Sequence, residues 1–301
     1  MSSVSSPSSL NTPKKITIFG EVLFDCFQKD SREEQVLGGA PFNICWHLQA
    51  LGDQPIFISR LGMDKLGETI LHQALLWGIS ADNIQLDRKH ATGQVQVTLV
   101  EDEPEYEIKE GAAYDFIEAR AVNCDAQPSI LYHGSLALRS DYAKQQFERL
   151  VAEGNWQIFL DVNLRAPWWD QTSLFAWIRQ ARWVKLNIDE LIELGFTAPE
   201  LEQAMLAFQQ EFGCEQVIVT QGAEGVSALT AEGFFSAKPE KIQNFVDTVG
   251  AGDAFTAVYI HGLMAQWPIQ KTLSAAQAFA SKVIGIRGAT PQEKSFYELE
   301  S

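Results

Sequence analysis

Continuous apolar runs alternate with segments of helical periodicity along most of this chain, and this alternation limits its fold more than any other feature. Strands without period-two alternation are buried on both faces, as in a parallel sheet whose crossovers are helices. The sequence therefore predicts an α/β fold, a doubly wound and mostly parallel sheet with helices on both faces. The apolar runs are residues 15–19, 56–59, 130–133, 158–161, 183–186 and 217–220, and the helical segments between them are residues 42–51, 66–77, 144–153 and 201–212.

Two stretches depart from this alternation. Residues 26–36 are polar and charged and follow the first strand, whereas residues 94–100 alternate polar with apolar side chains before a turn at Glu103-Pro104. Alternation is typical of strands with one solvated face, as in a small antiparallel flap. We therefore expect a β lid built from insertions at about residues 26–36 and 92–110. Open α/β sheets bind ligands at the carboxyl ends of their strands, so the lid is expected to lie there.

The chain length limits the number of domains, and the cysteines indicate the compartment. A chain of 301 residues is too short for two large domains, so we expect one domain over residues 15–301 after a disordered, Ser-rich tail at residues 1–14. The tail lacks the apolar stretch of a secretory signal. The four cysteines are scattered and include no Cys-x-x-Cys pair, which indicates a reducing compartment. We expect a cytoplasmic location.

The net charge limits the partners. Lys and Arg total 23 against 39 for Asp and Glu, which gives a formal charge of −16. Nucleic acids and anionic membranes are bound by basic patches, so this balance argues against both as partners. An anionic ligand held locally by backbone amides remains compatible with it.

The strongest local motif is the glycine-rich string Asp247-Thr248-Val249-Gly250-Ala251-Gly252-Asp253-Ala254-Phe255. Its glycines allow a tight turn, and the apolar spacing beyond Asp253 is helical. The string therefore opens a helix, where free amides and the helix dipole favour an anion. A carboxylate at that place can accept a proton from an alcohol that attacks a phosphoryl group. For a bare Gly-x-Gly-Asp, an ordinary helix cap is an equal alternative.

The longer string resembles the C-terminal signature of the ribokinase-like (PfkB) carbohydrate kinases, Asp-Thr-x-Gly-Ala-Gly-Asp-x-Phe. Further family-like motifs follow one another in family order over about residues 16–291, and the set is most similar to bacterial fructokinases. The resemblance implies a ribokinase-like fold and an ATP-dependent sugar kinase. The other motifs are Gly20-Glu21-Val22-Leu23-Phe24-Asp25, Gly38-Gly39-Ala40-Pro41-Phe42-Asn43, Asp161-Val162-Asn163-Leu164-Arg165, Lys185-Leu186-Asn187-Ile188-Asp189-Glu190 and Thr220-Gln221-Gly222-Ala223-Glu224-Gly225.

By this resemblance, Asp25, Gly39 and Asn43 bind the sugar hydroxyls, and Gly38 belongs to the same glycine pair. A carboxylate and a carboxamide suit a polyol, because together they accept and donate hydrogen bonds. For Asn43 alone, a helix cap is the alternative interpretation.

The phosphate site is expected from two elements. Gly250, Ala251 and Gly252 would form an anion hole beside the catalytic base Asp253. Asp161, Asn163 and Arg165 are expected to point outward from one strand end, where alternate residues share a face. The planar Arg165 guanidinium matches phosphate oxygens and is a candidate clamp on the transferred group, with a surface salt bridge as the alternative.

The resemblance also implies cofactor contacts for ATP and Mg²⁺. Magnesium keeps much of its water shell, so Glu190 would hold it through water. Asp247 is placed for a monovalent cation such as K⁺. The residues implied in nucleotide binding are Asn187, the turn residues Thr220, Gly222 and Gly225, and Ser281, which stands in a helix expected at about residues 272–287 where many family members have Asn.

The predicted function is transfer of the γ-phosphate of ATP to a sugar hydroxyl, with fructose as the leading substrate. Ribose, 2-keto-3-deoxygluconate and a nucleoside are alternatives, and so is a catalytically silent regulator that binds a sugar or nucleotide. Tyr106 and Tyr114 are expected to project from the lid, and the lid edge offers strand pairing for a homodimer. A Rossmann oxidoreductase is excluded because Gly20 is not followed by the required glycines.

Overall fold

The computed structural model describes residues 15–29, 32–100, 103–119, 129–239 and 245–299, so the predicted tail lies outside the described residues. In chain order the strands are β1 (Ile16–Phe19), β2 (Leu23–Lys29), β3 (Arg32–Gly38), β4 (Ile56–Gly62), β5 (Ile84–Asp87), β6 (Gly93–Val100), β7 (Glu103–Ile108), β8 (Ser129–His133), β9 (Trp156–Asp161), β10 (Trp183–Asn187), β11 (Gln216–Thr220), β12 (Val226–Thr230) and β13 (Gly233–Ala237). The helices are α1 (Ala40–Ala50), α2 (Lys65–Trp77), α3 (Asp141–Glu153), α4 (Gln171–Gln180), α5 (Ile188–Glu193), α6 (Leu201–Phe212), α7 (Ala251–Met264) and α8 (Ile269–Ile284).

Nine strands form the main sheet in the order β13-β12-β11-β10-β9-β8-β1-β4-β5. The pairs from β11 to β5 are parallel, and only the edge pairs β11–β12 and β12–β13 are antiparallel. The predicted mostly parallel, doubly wound sheet is therefore confirmed.

Two hydrophobic clusters cover the two faces of this sheet. Ile16 and Ile18 of β1 belong to the cluster that packs against α1, α2, α7 and α8. Phe19 of the same strand belongs to the cluster that packs against α3, α4, α5 and α6. Because each strand buries side chains on both faces, its apolar run is continuous, which is the pattern that the sequence presents.

Some helices begin or end at residues other than those expected from the sequence pattern. Helix α3 begins at Asp141, three residues before the expected start, because the hydroxyl of Ser140 accepts from the amide of Ala143 at 3.1 Å. Helix α8 begins directly after Pro268 and ends before Gly285, so it lies a few residues N-terminal to the expected range.

Four strands form a separate small sheet in the order β3-β2-β6-β7. Strands β2 and β3 make an antiparallel hairpin, β6 pairs with β2 in parallel, and β7 pairs with β6 antiparallel. The stretches involved are Leu23–Gly38 and Gly93–Ile108. Since only residues 20–22 separate β1 from β2, the small sheet starts at the carboxyl end of a main-sheet strand.

The expectation that Tyr114 projects from the lid is wrong. This residue lies in a 3₁₀ turn, Ala113–Phe116, outside the small sheet, and it is buried. Its ring packs against Gly93 of β6, where an added Cβ would lie 2.6 Å from the ring. Tyr106 lies in β7, and its side chain falls outside the described part of the structure.

No helix in the described ranges is both long enough and apolar enough to cross a bilayer.

Candidate active site

The predicted site residues follow strands that end at one edge of the main sheet. Asp25 follows β1 through a short connection, Arg165 follows β9, and Asn187 and Thr220 close β10 and β11. Asn187 and Thr220 are direct neighbours across the parallel pair of β10 and β11. Since parallel strands present their carboxyl ends together, the fold brings these parts of the sequence to the same edge.

Asp253 lies in the first turn of α7, and its nearest side-chain partner comes from α1. The Asn43 amide nitrogen Nδ2 donates a 2.8 Å hydrogen bond to Oδ2 of Asp253. Neither side chain caps its own helix, because Gly39 is the N-cap of α1 and Gly250 that of α7. Both side chains are therefore directed at each other across the junction of the two helices.

Burial is the main cause that raises the pKa of Asp253 to about 6. The hydrogen bond from Asn43 opposes this rise, the negative charge of Asp161 adds to it, and the positive charges of Lys185 and Arg165 lower it. Because the resulting pKa lies below neutrality, the carboxylate is mostly ionised at pH 7 and is able to accept a proton.

The glycine pair before α1 lets other groups approach its backbone closely. Gly39 has φ 101°, a left-handed conformation, and an added Cβ would lie 2.9 Å from the carbonyl oxygen of Glu21. At Gly38 an added Cβ would lie 2.9 Å from Oδ2 of Asp25. The predicted sugar-binding residues are thus close to one another in space; they are Asp25, Gly38, Gly39 and Asn43.

Arg165 is exposed, and its guanidinium makes no ion pair within the described ranges. The alternative interpretation, a surface salt bridge, is therefore not seen among these residues. Its positive charge lowers the pKa values of Glu21, Asp25 and Asp253. Burial still dominates at Asp25 and raises the pKa of that carboxyl to about 6. Arg165 is therefore an exposed cation whose charge acts on three carboxyl groups.

The expectation that Asp161 points outward with Asn163 and Arg165 is wrong for Asp161. Asp161 is 1% exposed and accepts from the Lys185 ammonium at 2.8 and 3.0 Å. Strand β9 ends at Asp161, and Asn163 has φ 38°, so strand alternation does not extend through this segment.

Lys185 is a site residue that the sequence reasoning missed. Its ammonium lies 3.6 Å from the position of a Cβ added to Gly252, so a buried positive charge sits directly behind the predicted anion hole. Thr256 completes this network, because its hydroxyl contacts Oδ2 of Asp161 at 3.3 Å and donates to the carbonyl of Gly252 at 2.8 Å. The sequence feature that could have indicated Lys185 is the presence of a lysine within the mostly apolar strand β10.

The predicted anion hole occupies the start of α7. Gly250 has φ 80°, and an added Cβ there would lie 2.3 Å from the Cβ of Ala289, so only glycine fits. The amide of Ala251 already donates to the carbonyl of Thr248 at 3.2 Å. The amides of Gly252 and Asp253 belong to the first turn, where amides lack intrahelical acceptors. They are the better placed donors for an anion.

Asn187 and Glu190 form a capping box at the start of α5. The Asn187 side chain accepts from the amide of Glu190, and the two Glu190 oxygens accept from the amides of Asn187 and Leu164, all at 2.8 Å. Burial raises the pKa of the Glu190 carboxyl. In the described ranges no three His, Cys, Asp or Glu side chains gather to hold a metal directly. Glu190 keeps spare lone pairs, which fits a magnesium ion held mainly by water and phosphate.

The remaining predicted residues lie in two further places. Thr220 ends β11, and Gly222 and Gly225 form the tight turn before β12, where Gly225 has φ 102°. The Ser281 hydroxyl on α8 is buried without a partner among the described residues. Asp247 accepts from the amide of Val249 at 3.0 Å, and its own amide donates to Ile284 at the end of α8.

Comparisons with known proteins give a family match and several relatives. The model of the pfkB family carbohydrate kinases matches residues 13–295. A fructokinase from Salmonella typhimurium is 27% identical over 305 residues, which covers 93% of this chain and 97% of that protein. An aminoimidazole riboside kinase from Salmonella typhimurium is 25% identical, covering 91% of this chain and 90% of that protein. A crystal structure of fructokinase from Vibrio cholerae O395 with fructose, ADP and calcium ion has a TM-score of 0.82 at 22% identity, covering 96% of this chain and 99% of that one.

The family match extends over nearly the whole described chain, and the solved structure shares its fold from end to end. The resemblance drawn from the sequence motifs is thereby confirmed. The chain belongs to the pfkB family of carbohydrate kinases.

Proposed function

We propose that this protein transfers the γ-phosphate of ATP to a hydroxyl group of a sugar, with fructose as the first candidate. The observation that carries the proposal is the Asp253 carboxylate, held by Asn43 at the N-terminus of α7 beside two glycines. A base and an anion-binding helix start are thus adjacent, which is what phosphoryl transfer to an alcohol requires.

In the proposed reaction the sugar lies against Asp25, Gly38, Gly39 and Asn43, with one hydroxyl beside Asp253. Asp253 takes the proton of that hydroxyl while the hydroxyl oxygen forms a bond to the γ-phosphorus. The bond between the γ-phosphorus and the bridging oxygen breaks, and ADP leaves. Kinase catalysis of this kind is mostly positioning and charge stabilisation.

Positive groups surround the place where phosphoryl charge develops. Within the predicted anion hole, the amides of Gly252 and Asp253 are the proposed donors to the phosphate, and the buried Lys185 ammonium lies 3.6 Å from the position of a Cβ added to Gly252. Arg165, exposed and free of an ion pair in the described ranges, is available to contact the equatorial oxygens. Fixed donors of this kind stabilise a transition state because they need no reorganisation as charge appears.

The nucleotide is proposed to lie along the ends of β10 and β11, where Thr220, Gly222 and Gly225 face its phosphates and Ser281 its base. When bound, Mg²⁺ neutralises charge on the phosphate oxygens, and Glu190 would hold it through water. Asp247 is the proposed ligand of a monovalent cation. The Vibrio cholerae fructokinase structure contains ADP and a calcium ion, which supports a nucleotide and a cation in this fold.

The small sheet is proposed to act as a lid that excludes water from the reaction. Glu34 of β3 pairs with Arg287 beyond α8 at 2.5 Å, so the lid already contacts the segment next to the proposed nucleotide site. Its strands β3 and β7 are the sheet edges. Pairing of such an edge with a second copy is the proposed route to a homodimer.

Fructose leads among the substrates because the named fructokinase aligns over almost the full chain. The aminoimidazole riboside kinase aligns nearly as well, so ribose and nucleosides stay alternatives together with 2-keto-3-deoxygluconate. A catalytically silent regulator is disfavoured, because it would be free to lose Asp253 and its glycines. A cytoplasmic supply of ATP fits the reducing compartment predicted from the cysteines.

The test is an ADP-release assay with ATP and Mg²⁺ over fructose, ribose, 2-keto-3-deoxygluconate and nucleosides. We expect sugar-dependent ADP release and an equimolar sugar phosphate, with the highest kcat/KM on fructose. Absence of turnover on every sugar, in protein that still binds ATP, would contradict the kinase assignment. A higher kcat/KM on another substrate would correct only the choice of sugar.

A further inference from the structure

Arg139 is a buried cation that the proposed mechanism does not use. It follows β8 at the end of a short 3₁₀ turn, Leu136–Leu138, and its side chain is 4% exposed. Asp115 binds it with both carboxylate oxygens, which accept from Nε at 2.7 Å and from Nη2 at 2.8 Å. A contact at two points fixes the plane of a guanidinium as well as its place.

Two aromatic rings pack against this guanidinium. The Cζ atom of Arg139 lies 5.0 Å from the ring centroid of Tyr114 and 4.7 Å from a ring centroid of Trp168. The attraction between a cation and an aromatic face adds to the ion pair. The remaining donor, Nη1, is buried without an acceptor among the described residues, which is unfavourable. The orientation of the group is therefore set by its other contacts.

Some of these contacts tie Arg139 to the base of the small sheet. Its Nη2 atom also donates to the carbonyl of Lys109, the first residue after β7, at 2.6 Å. Tyr114 packs against Gly93, the first residue of β6, where an added Cβ would lie 2.6 Å from the ring. The guanidinium is therefore connected to the start of β6 and to the end of β7.

The second ring belongs to the turn that carries Arg165. The amide of Trp168 donates to the carbonyl of Arg165 at 2.7 Å, so these two residues close one tight turn. Before this turn, the carbonyl of Asn163 accepts from the hydroxyl of Ser135 at 3.0 Å. Both ends of the segment that carries Arg165 are thus held by residues that follow β8.

We propose that Arg139 is a positioning residue that holds the turn of Arg165 against the base of the small sheet. The lid and the phosphoryl clamp then keep one relative position, so that sugar and phosphate are aligned when the lid covers the site. This inference rests on the proposed kinase function and adds to it a residue that acts through Arg165. Such positioning matters, because a displacement of about 1 Å can lower a catalytic rate about 100-fold.

The test compares Arg139→Lys, Trp168→Ala and Trp168→Phe with the unchanged protein. Trp168→Ala should lower kcat by about 10- to 100-fold and leave the KM for fructose within about 2-fold, because it loosens only the turn. Trp168→Phe keeps an aromatic face and should retain most of kcat.

Arg139→Lys keeps a positive charge opposite Asp115 but lacks the planar fork that also reaches the carbonyl of Lys109. Both the turn and the lid base lose a contact in this variant. We therefore expect a decrease in kcat of about 10- to 100-fold together with a several-fold higher KM for fructose.

A double-variant cycle distinguishes action through Arg165 from a general loss of packing. In an Arg165→Ala background the turn no longer carries the clamp. Trp168→Ala should then lower kcat by less than about 2-fold, since two residues that act through one group have non-additive effects.

Trp267→Ala is the matched control. Trp267 is also half-buried and packs against a cation, with Nζ of Lys271 4.6 Å from a ring centroid, but it lies in the connection from α7 to α8, beyond the end of α7 that is remote from Gly250. We expect a similar small decrease in Tm for Trp267→Ala and Trp168→Ala, and an unchanged kcat for Trp267→Ala.

Three outcomes would overturn the inference. The first is an unaltered kcat in Arg139→Lys or in Trp168→Ala. The second is an equal fold loss of kcat on Trp168→Ala in the presence and absence of the Arg165 side chain. The third is a loss of kcat in Trp267→Ala as large as that in Trp168→Ala.

If the unchanged protein turns over no sugar, the kinase function fails on its own, and hydrogen–deuterium exchange still tests Arg139. The amides of Gly111 and Ala112 at the lid base donate to Asp115, and the amide of Trp168 is bonded within its turn. Arg139→Lys should make these amides exchange faster relative to amides of β11. Unchanged relative exchange at Trp168 would refute the positioning role.

Discussion

The Nδ2 atom of Asn43 lies 2.8 Å from Oδ2 of Asp253, and this hydrogen bond joins residues 210 positions apart in the sequence. It connects the helix that follows the proposed sugar-binding glycines with the helix that opens at the proposed phosphate site. A residue of the proposed sugar site therefore orients the proposed base, and under this proposal substrate binding and proton transfer depend on the same contact.

Replacement of Asp253 by Asn should lower kcat by about 100-fold or more, the scale expected for losing a general base. The amide is isosteric and can still bond to Asn43, so the fold and sugar binding are expected to persist. Steady-state ADP release together with calorimetric titration of fructose measures both quantities. A kcat near that of the unchanged protein would refute the assignment of the base.

Asn43→Ala should move the acidic limb of the kcat/KM profile to higher pH. The Asn43 hydrogen bond stabilises the ionised form of Asp253 and holds down a pKa that burial raises to about 6. Without it, the folded-state pKa rises, and a higher pH is needed to ionise the base. The measurement is kcat/KM for fructose between pH 5 and pH 8 in both proteins, with these limits chosen about one to two units either side of that pKa.

Asp25→Asn is the control for this profile, because burial also raises the pKa of Asp25 to about 6. If the limb reports Asp253, it persists in Asp25→Asn at a lower overall kcat/KM. Disappearance of the limb in that variant would assign it to Asp25 instead.

Arg165→Ala should lower kcat by roughly 100- to 1,000-fold, comparable to losing one donor of an oxyanion hole. Its Tm should be unchanged, because the side chain is exposed and forms no ion pair in the described ranges. Arg149→Ala, which removes an exposed arginine paired with Glu153 at 3.0 Å, is the matched control and should alter neither quantity. A large loss of stability in Arg165→Ala would indicate a structural role.

Lys185→Met should destabilise the fold by about 3–5 kcal/mol, because it leaves the buried Asp161 carboxylate without its partner. The double variant Lys185→Met with Asp161→Leu should recover much of that stability in urea unfolding. It should not recover kcat, since the positive charge behind Gly252 stays absent. Recovery of both would mean that Lys185 acts only on stability.

Glu21→Gln should become more stable than the unchanged protein as the pH rises. Burial raises the pKa of Glu21 to about 7 in the folded state from the ordinary 4.5 of a glutamate, so the folded state binds the proton more tightly. The resulting penalty is absent below pH 4.5 and fully present above pH 7, where the difference corresponds to about 3 kcal/mol. Urea unfolding at several pH values measures the difference, and a difference that does not change with pH would contradict the prediction.

The fold class and the residue types of the proposed site follow from the sequence alone. Continuous apolar runs require burial on both faces, and that requirement already implies a parallel sheet between helices. The glycines at 39 and 250 were readable as turns because only glycine adopts their left-handed backbone without strain. Local spacing also indicated the helix starts at the two glycine pairs, since periodicity and capping act over a few residues.

Contacts between segments that are distant in the sequence follow only from the tertiary structure. It pairs Asn43 with Asp253, buries Asp161 against Lys185, and moves Tyr114 from the lid into the core. It also buries Glu21 with one carboxyl oxygen that has no partner among the described residues. Burial and long-range charge set the pKa values and partners of these groups, and neither is encoded in a local pattern. The side chains available were therefore fixed by sequence, and their chemistry was fixed by packing.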